Sequence, residues 1–244
     1  MTLLLLLLSA HFIGDFYLQP NHWIADRHAH KARSVALYKH TAMHAVLAAI
    51  AFYFAGYDWS TLGAGTLVVA VSHGLIDYFK AGRTSTLAFV VDQLAHLLII
   101  GIVCAVALNL TVGQLQGYFL SLRQPAWLIY LLGYLFILQP ASILIAQVLA
   151  GHTARLQNTD SQSLGSAGRW IGYVERLLAL SFVLVEQYTG LGFLVATKTV
   201  FRVGDLSKSK DMRLTEYMML GTLISFAIAL ITGWSINWAH AVLN

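Results

Sequence analysis

Ser9–Gln19, SAHFIGDFYLQ, follows a run of six leucines near the start of the chain. A leader peptide or a plain anchor has no use for His11 and Asp15 four residues apart in such a run. The stretch lacks the basic start and the small-residue cleavage site of a leader, so it reads as a retained first membrane helix. The two polar side chains need a separate reason.

The rest of the chain sets the context. Of its 244 residues 58% are hydrophobic and 11% charged, and mean hydropathy is +0.68. A soluble domain this apolar could not cover its core with polar surface. The expectation is an all-α, polytopic transmembrane helix bundle. The net charge of +4 is small and dispersed in loops, which argues against a nucleic-acid partner and makes the lipid bilayer the expected one. Oligomeric state is not legible. Cys104 is the single cysteine, so no intrachain disulfide forms, and its apolar surroundings make it a small buried hydrophobe.

Apolar windows of about 20 residues mark spanning helices. They fall near 2–19, 36–55, 61–80, 87–108, 127–149, 169–188 and 213–235, and the shorter run 190–203, a short span, a re-entrant segment or an interfacial helix, makes about seven to eight membrane segments. Arg27, Lys31 and Arg33 lie in connection 20–35, and Lys80 and Arg83 lie at 80–86. Arg155 and Arg169 flank connection 150–168, and Lys198, Arg202, Lys208, Lys210 and Arg213 lie at 198–213. The alternate connections 56–60 and 109–126 hold only Asp58 and Arg123. The positive-inside rule then puts the N-terminus outside and the basic connections in the cytoplasm.

Each of the first four spans carries one polar pair at i,i+4: His11/Asp15, His40/His44, His73/Asp77 and Asp92/His96. Residues four apart lie one turn from each other on one helix face. An aspartate at mid-helix costs about 2.5–3.5 kcal/mol on insertion scales, so the pairs need a compensating partner. The charge-derived topology sets all four at similar depth in the cytoplasmic half. Imidazole nitrogens and carboxylate oxygens are common ligands of zinc and similar divalent ions. Residues His11–Tyr17 and His73–Phe79 also resemble one another, which suggests a pseudo-repeat of spans 1–2 and 3–4. Eight candidate ligands exceed what one tetrahedral ion takes, so one or two ions are expected. The division is a four-helix core over 1–108 and further membrane helices over 109–244 in the same bundle.

The motifs HFIGDFYLQ, Lys39-His40-xxx-His44, His73-xx-Ile76-Asp77-xx-Lys80 and Asp92-Gln93-xx-His96 resemble those of the bacterial integral membrane proteins grouped as domain of unknown function 3307. Glu175-Arg176-x-Leu178, Ala196-x-Lys198-xxx-Arg202 and Glu216-Tyr217 resemble its longer members more loosely. The resemblance implies a protein of a bacterial cytoplasmic (inner) membrane and no particular reaction. Membrane-bound metal-dependent hydrolases also set His and Asp pairs on apolar helices, in a different motif order.

Two functions follow from these residues. The first is metal-dependent hydrolysis of a lipid-like or phosphorylated, membrane-accessible substrate from the cytoplasmic side. Asp15, Asp77 or Glu175 would take the proton, and Lys39, Lys80, Arg83, Lys198 and Arg202 would bind an anionic lipid or phosphorylated substrate. The alternative is divalent-cation or proton transport through the same cluster. The nearly apolar outer halves of the four helices favour the enzyme. Glu175 needs a cation, with Lys198, Arg202 and the metal as candidates. Connection 20–35, with His22, His28 and His30, reads as an interfacial amphipathic segment.

Overall fold

Three side chains start the helices that carry the site, each by accepting from N–H groups that an opening turn leaves free. Ser34 accepts from Leu37 N (3.1 Å), Asp58 from Ser60 N and Thr61 N (3.0 and 3.2 Å), and Ser85 from Ala88 N (3.1 Å). Gly56 and Gly82, at φ of 78° and 89°, follow the ends of the first two of these helices, where a left-handed residue closes the last turn. The computed structural model describes residues 2–109, 126–153, 165–206 and 212–243, and every regular element among them is helical. In chain order these are α1 (Thr2–Phe12), a π-helical turn (Ile13–Tyr17), α2 (Asn21–His30), a 3-10 turn (Lys31–Arg33), α3 (Val35–Phe54), α4 (Trp59–Lys80) and α5 (Thr86–Ala107). They continue with α6 (Ala126–Thr153), α7 (Gly165–Leu184), α8 (Tyr188–Leu206) and α9 (Met212–Leu243).

The chain forms two compact units. Met1–Leu132 with Val242–Asn244 is one, and Gly133–Ala241 is the other. In the first, α1 packs on α3 and α5, α3 on α4, and α4 on α5, closing a four-helix arrangement. One half of it is apolar: Leu3, Leu7, Ala48, Phe52, Val69, Ile100 and Val103 are buried together with Cys104. Phe52 is fully buried, and a Cβ at Gly65 would collide with its ring. That glycine lets α4 approach α3 closely, the usual way apolar helices gain packing in hydrocarbon. The outward faces carry large apolar side chains, such as Leu67, Leu87, Leu98 and Val106, each more than 60% exposed.

Among the described residues, five helices are long and apolar enough to cross a membrane: Val35–Phe54, Trp59–Lys80, Thr86–Ala107, Trp127–Ala150 and Glu216–Val242. Thr2–Tyr17 and Asn21–Arg33, bent by 85° at the break between them, would make a sixth if taken as one span. This is fewer than the seven to eight expected. Thr2–Tyr17 would reach about 24 Å at 1.5 Å per residue, short of a hydrocarbon core of about 30 Å. Each of α7 and α8 contains three charged residues, Arg169, Glu175 and Arg176 in one and Lys198, Arg202 and Asp205 in the other. Those charges remove the long apolar windows assigned at 169–188 and 190–203. Connection 20–35 is also largely helical, as α2 and its 3-10 turn. Arg123, Arg155, Lys208 and Lys210, with most of connections 109–126 and 150–168, lie outside the described residues, as do the side chains of Arg202 and Arg213.

In the second unit α7 and α8 form a helical hairpin whose turn holds Glu186, exposed and at φ 58°. Pro140 inside α6 offers no N–H to its helix. The buried Arg176 guanidinium supplies donors to the same stretch, at Ile137 O (2.7 Å), Leu138 O (3.3 Å) and Ser142 Oγ, and reaches Ser225 Oγ at 3.3 Å. Arg176 is thereby a structural residue of that unit.

The α2–α3 corner is tied by Asp26. Its carboxylate accepts from Ser34 Oγ (2.5 Å) and Ala36 N (3.3 Å) and lies 2.8 Å from His30 Nδ1. The Ser34 and His30 hydrogen bonds hold its pKa below the ordinary carboxylate value, so this contribution to stability is present at neutral pH and lost as pH falls through the lowered value. Ser34 is buried and serves both Asp26 and the α3 start. Ser34→Ala should lower stability by about 1 kcal/mol, read as an earlier midpoint in a denaturing-detergent titration, whereas Ser235→Ala, exposed on α9, should change it by less than half of that.

Candidate metal centre

All four polar pairs point into the half of the first unit that the apolar core leaves unfilled. His11, His40, His44, His73, Asp77, Asp92 and His96 are buried, and the Asp15 side chain is 9% exposed. They meet around two carboxylates. Asp15 Oδ1 is 3.0 Å from His44 Nε2, 3.2 Å from His40 Nε2 and 3.3 Å from His73 Nε2. Asp77 Oδ2 is 3.3 Å from His40 Nε2 and 3.6 Å from His73 Nε2, while its Oδ1 faces His96 Nε2 at 3.9 Å. Asp92 Oδ1 is 3.6 Å from His96 Nε2.

The π-helical turn delivers Asp15. In a regular helix His11 and Asp15 would stack one turn apart, but the extra residue per turn at Ile13–Tyr17 rotates Asp15 towards α3 and α4. His11 Nε2 is left 3.8 Å from Asp15 Oδ2. Gly14 in that turn lies against the His44 imidazole, where any Cβ would overlap the ring. His73 and Asp77 stay within a regular helix. The two halves still share a pattern. Each aspartate faces the histidine four residues before it, at 3.8 and 3.6 Å, and the last histidine of the next long helix, His44 or His96.

Glutamines fill the edges. Gln93 Nε2 donates to Asp15 Oδ2 (3.2 Å) and Asp92 Oδ2 (3.1 Å), and its Oε1 faces His11 Nε2 (3.3 Å). Gln19 Nε2 lies 3.0 Å from His40 Nε2. Two cations approach from the same end: Arg27 of α2 donates to Asp77 Oδ2, and Lys80 Nζ to Asp92 Oδ2 at 2.6 Å.

Ligand spacing can be tested on these distances. Ligands about 2.0–2.1 Å from a tetrahedral ion are about 3.3 Å from one another, close to the 3.0–3.6 Å separating these nitrogens and oxygens. Three overlapping groups have ligand atoms within 4.8 Å of each other: His11/Asp15/His44/His73, His40/His73/Asp77 and Asp77/Asp92/His96. Hydrogen bonding alone leaves the cluster incomplete. His44 Nε2, His96 Nε2 and Asp92 Oδ1 are buried without an aligned hydrogen-bond partner, and His73 Nε2 faces His40 Nε2 at 3.1 Å. Buried polar atoms without partners are costly, and a shared cation would satisfy them together. The donor set therefore fits a divalent ion, and the overlap of the groups at His73 and Asp77 allows two.

The first half of the chain, residues 3–123, matches the model of a family described as Protein of unknown function (DUF3307). The chain belongs to that family. Every residue of the cluster falls within the DUF3307 match. No curated protein and no solved structure matches the chain.

The other expected site residues divide. Lys80 joins the cluster. Lys39 is exposed, and Arg83 is exposed and donates to Phe79 O within α4 (2.7 Å). Neither is brought to the cluster: Lys39 sits on the outward face of α3, and Arg83 lies in the connection after α4 and turns back to that helix's end. Glu175 and Lys198 lie in the second unit, where they pair with each other. Arg27, Gln19 and Gln93 had not been singled out as site residues. Arg27 was read only as an orienting charge, and the hint was its place on a short segment directly after the first motif.

Gly14→Ala should displace His44 and lower the bound metal of purified protein by at least about tenfold, the range for losing an orienting contact. Gly63→Ala, in open space on α4, should leave it unchanged. The readout is metal per chain by plasma emission after dialysis.

Proposed function

We propose that the protein is an integral membrane, divalent-metal-binding protein, with zinc as the ion of first choice and one or two ions per chain. We read it as a metal-dependent hydrolase acting on a lipid-like or phosphorylated substrate. The convergence of five imidazoles and three carboxylates at ligand spacing carries this reading. A bound divalent ion would acidify a water to a pKa of about 7 and polarise a scissile carbonyl or phosphoryl oxygen. Asp15 and Asp77 each direct one oxygen at several imidazoles and the other elsewhere, an arrangement suited to a bridging ligand or to accepting a proton from water. Gln93 and Gln19 would orient the ligands as outer partners.

The apolar half of the first unit favours hydrolysis over conduction. A cavity of ≈ 20 Å³ between His11, His44, His73 and His96 is closed by Leu7, Val69 and Ile100, beyond which the core is packed with Leu3, Phe52 and Val103. A conducting path needs polar steps through such a layer. The proposed setting is a bacterial inner membrane with the N-terminus outside and the site opening to the cytoplasm, which rests on the basic connections. Glu175, paired with Lys198, is not needed for the proposed chemistry.

The test pairs two assays on the purified full chain. Incubated with zinc and a panel of phospholipids and phosphorylated amphiphiles, the protein should cleave at least one, chelation should stop it, and Asp15→Ala should reduce the rate at least about 100-fold. Zinc flux into proteoliposomes that disappears in His73→Ala, with no cleavage of any lipid, would make the protein a transporter instead.

A further inference from the structure

The cations beside the cluster raise a question that metal binding alone does not answer. Arg27 is 8% exposed, yet among the described residues Asp77 is the one acceptor its guanidinium reaches. A guanidinium offers five N–H donors in a rigid fork, and a buried charged group with most of its donors unmatched is costly. Arg27 lines a pocket of ≈ 60 Å³ together with Gln19, Ile24, His28, Asp77, Lys80 and Ala81. A single water needs about 10–15 Å³, so the pocket has room for a larger group. Gln19, Arg27, His28 and Lys80 can donate into it, and its one carboxylate, Asp77, also belongs to the metal cluster.

Charge points the same way. Asp15, Asp77 and Asp92 carry three negative charges, and Arg27 and Lys80 two positive ones. With the neutral imidazoles that metal ligation requires, the cluster stands at −1. One divalent ion brings it to +1, and two bring it to +3. A charge of that sign in a closed site favours an anion alongside the metal. The fork of Arg27 with the ammonium of Lys80 suits the tetrahedral oxygens of a phosphoryl group. Ile24 lines the pocket beside these polar groups, so an acyl chain attached to such a group would meet an apolar side chain there.

We propose that this pocket, built by Arg27 and Lys80 with Gln19 and His28, is a phosphoryl-binding subsite of the metal centre, which makes the substrate a phosphate-bearing amphiphile. The proposal rests on the metal-centre reading above and assigns its substrate class. Arg27 binds the phosphoryl oxygens through its free N–H groups while keeping its bond to Asp77. Lys80 neutralises the second charge. Helix α2 is then part of the site, because it carries Arg27 and His28 over the end of α4.

The experiment uses the full chain in detergent, loaded with zinc. Binding of inorganic phosphate and of dihexanoyl phosphatidic acid is measured by equilibrium dialysis, with zinc per chain determined on the same samples. Wild type should bind phosphate only with zinc present, and the short-chain lipid more tightly than the free ion. Phosphate binding without tighter lipid binding would make free phosphate the ligand and overturn the amphiphile assignment. Arg27→Lys and Lys80→Gln should each weaken both ligands at least about tenfold with zinc content unchanged. Arg83→Gln, outside the pocket, should bind as wild type does. The subsite is overturned if both pocket variants bind the two ligands as wild type does, or if binding falls only in proportion to lost zinc. A wild-type protein that holds no zinc, or any other divalent metal offered, overturns the metal reading itself, an outcome distinct from failure of the subsite.

Discussion

Burial of three carboxylates and five imidazoles inside an otherwise apolar four-helix unit is the constraint on which the rest of the first unit depends. Separately, each aspartate in hydrocarbon would be disfavoured by a few kcal/mol. Together, at 3.0–3.9 Å, they require positive charge among them. Arg27 and Lys80 supply part of it from one end, and the unpartnered atoms of His44, His96 and Asp92 mark where more is needed. The local geometry follows from this requirement. The π-helical turn aims Asp15 across the bundle, Gly14 yields space to His44, and Gln93 holds Asp15 and Asp92 at once.

The apolar core makes the second half of the same argument. Leu3, Leu7, Phe52, Val69, Ile100 and Val103 close the unit on one side of the cluster, and α2 crosses it on the other. Asp26 ties α2 to the start of α3 through Ser34 and His30. On the proposed reading, a headgroup would enter such a site from the side of the short basic helix. That arrangement suits chemistry on a molecule that stays in the membrane better than passage of an ion across it.

Much of this was legible in the residues. The i,i+4 spacing of His11/Asp15, His40/His44, His73/Asp77 and Asp92/His96 within apolar runs located all eight cluster residues, because period and charge cost act locally. The extents of α3, α4 and α5 followed from hydropathy, whereas the Ser34, Asp58 and Ser85 caps that fix their starts were seen only in the structure. The π-helical turn was not legible, since it sits against His44, a contact between helices distant in sequence. Arg27 was read as a topology signal because nothing local distinguishes a buried arginine from an orienting one. Windows at 169–188 and 190–203 were over-read as spans because their apolar residues outnumber the charges, whereas Arg176 and the Glu175–Lys198 pair are polar features of the helices themselves.

X-ray absorption at the metal edge of the full chain, purified without added chelator and loaded with zinc, tests the central claim most directly. The account predicts a stoichiometric ion with nitrogen and oxygen ligands at about 2.0–2.1 Å, imidazole outer-shell scattering, and loss of that signal in the Asp15→Ala/Asp77→Ala variant. Absence of bound metal, or an unchanged imidazole-ligated signal in the double variant, would contradict it.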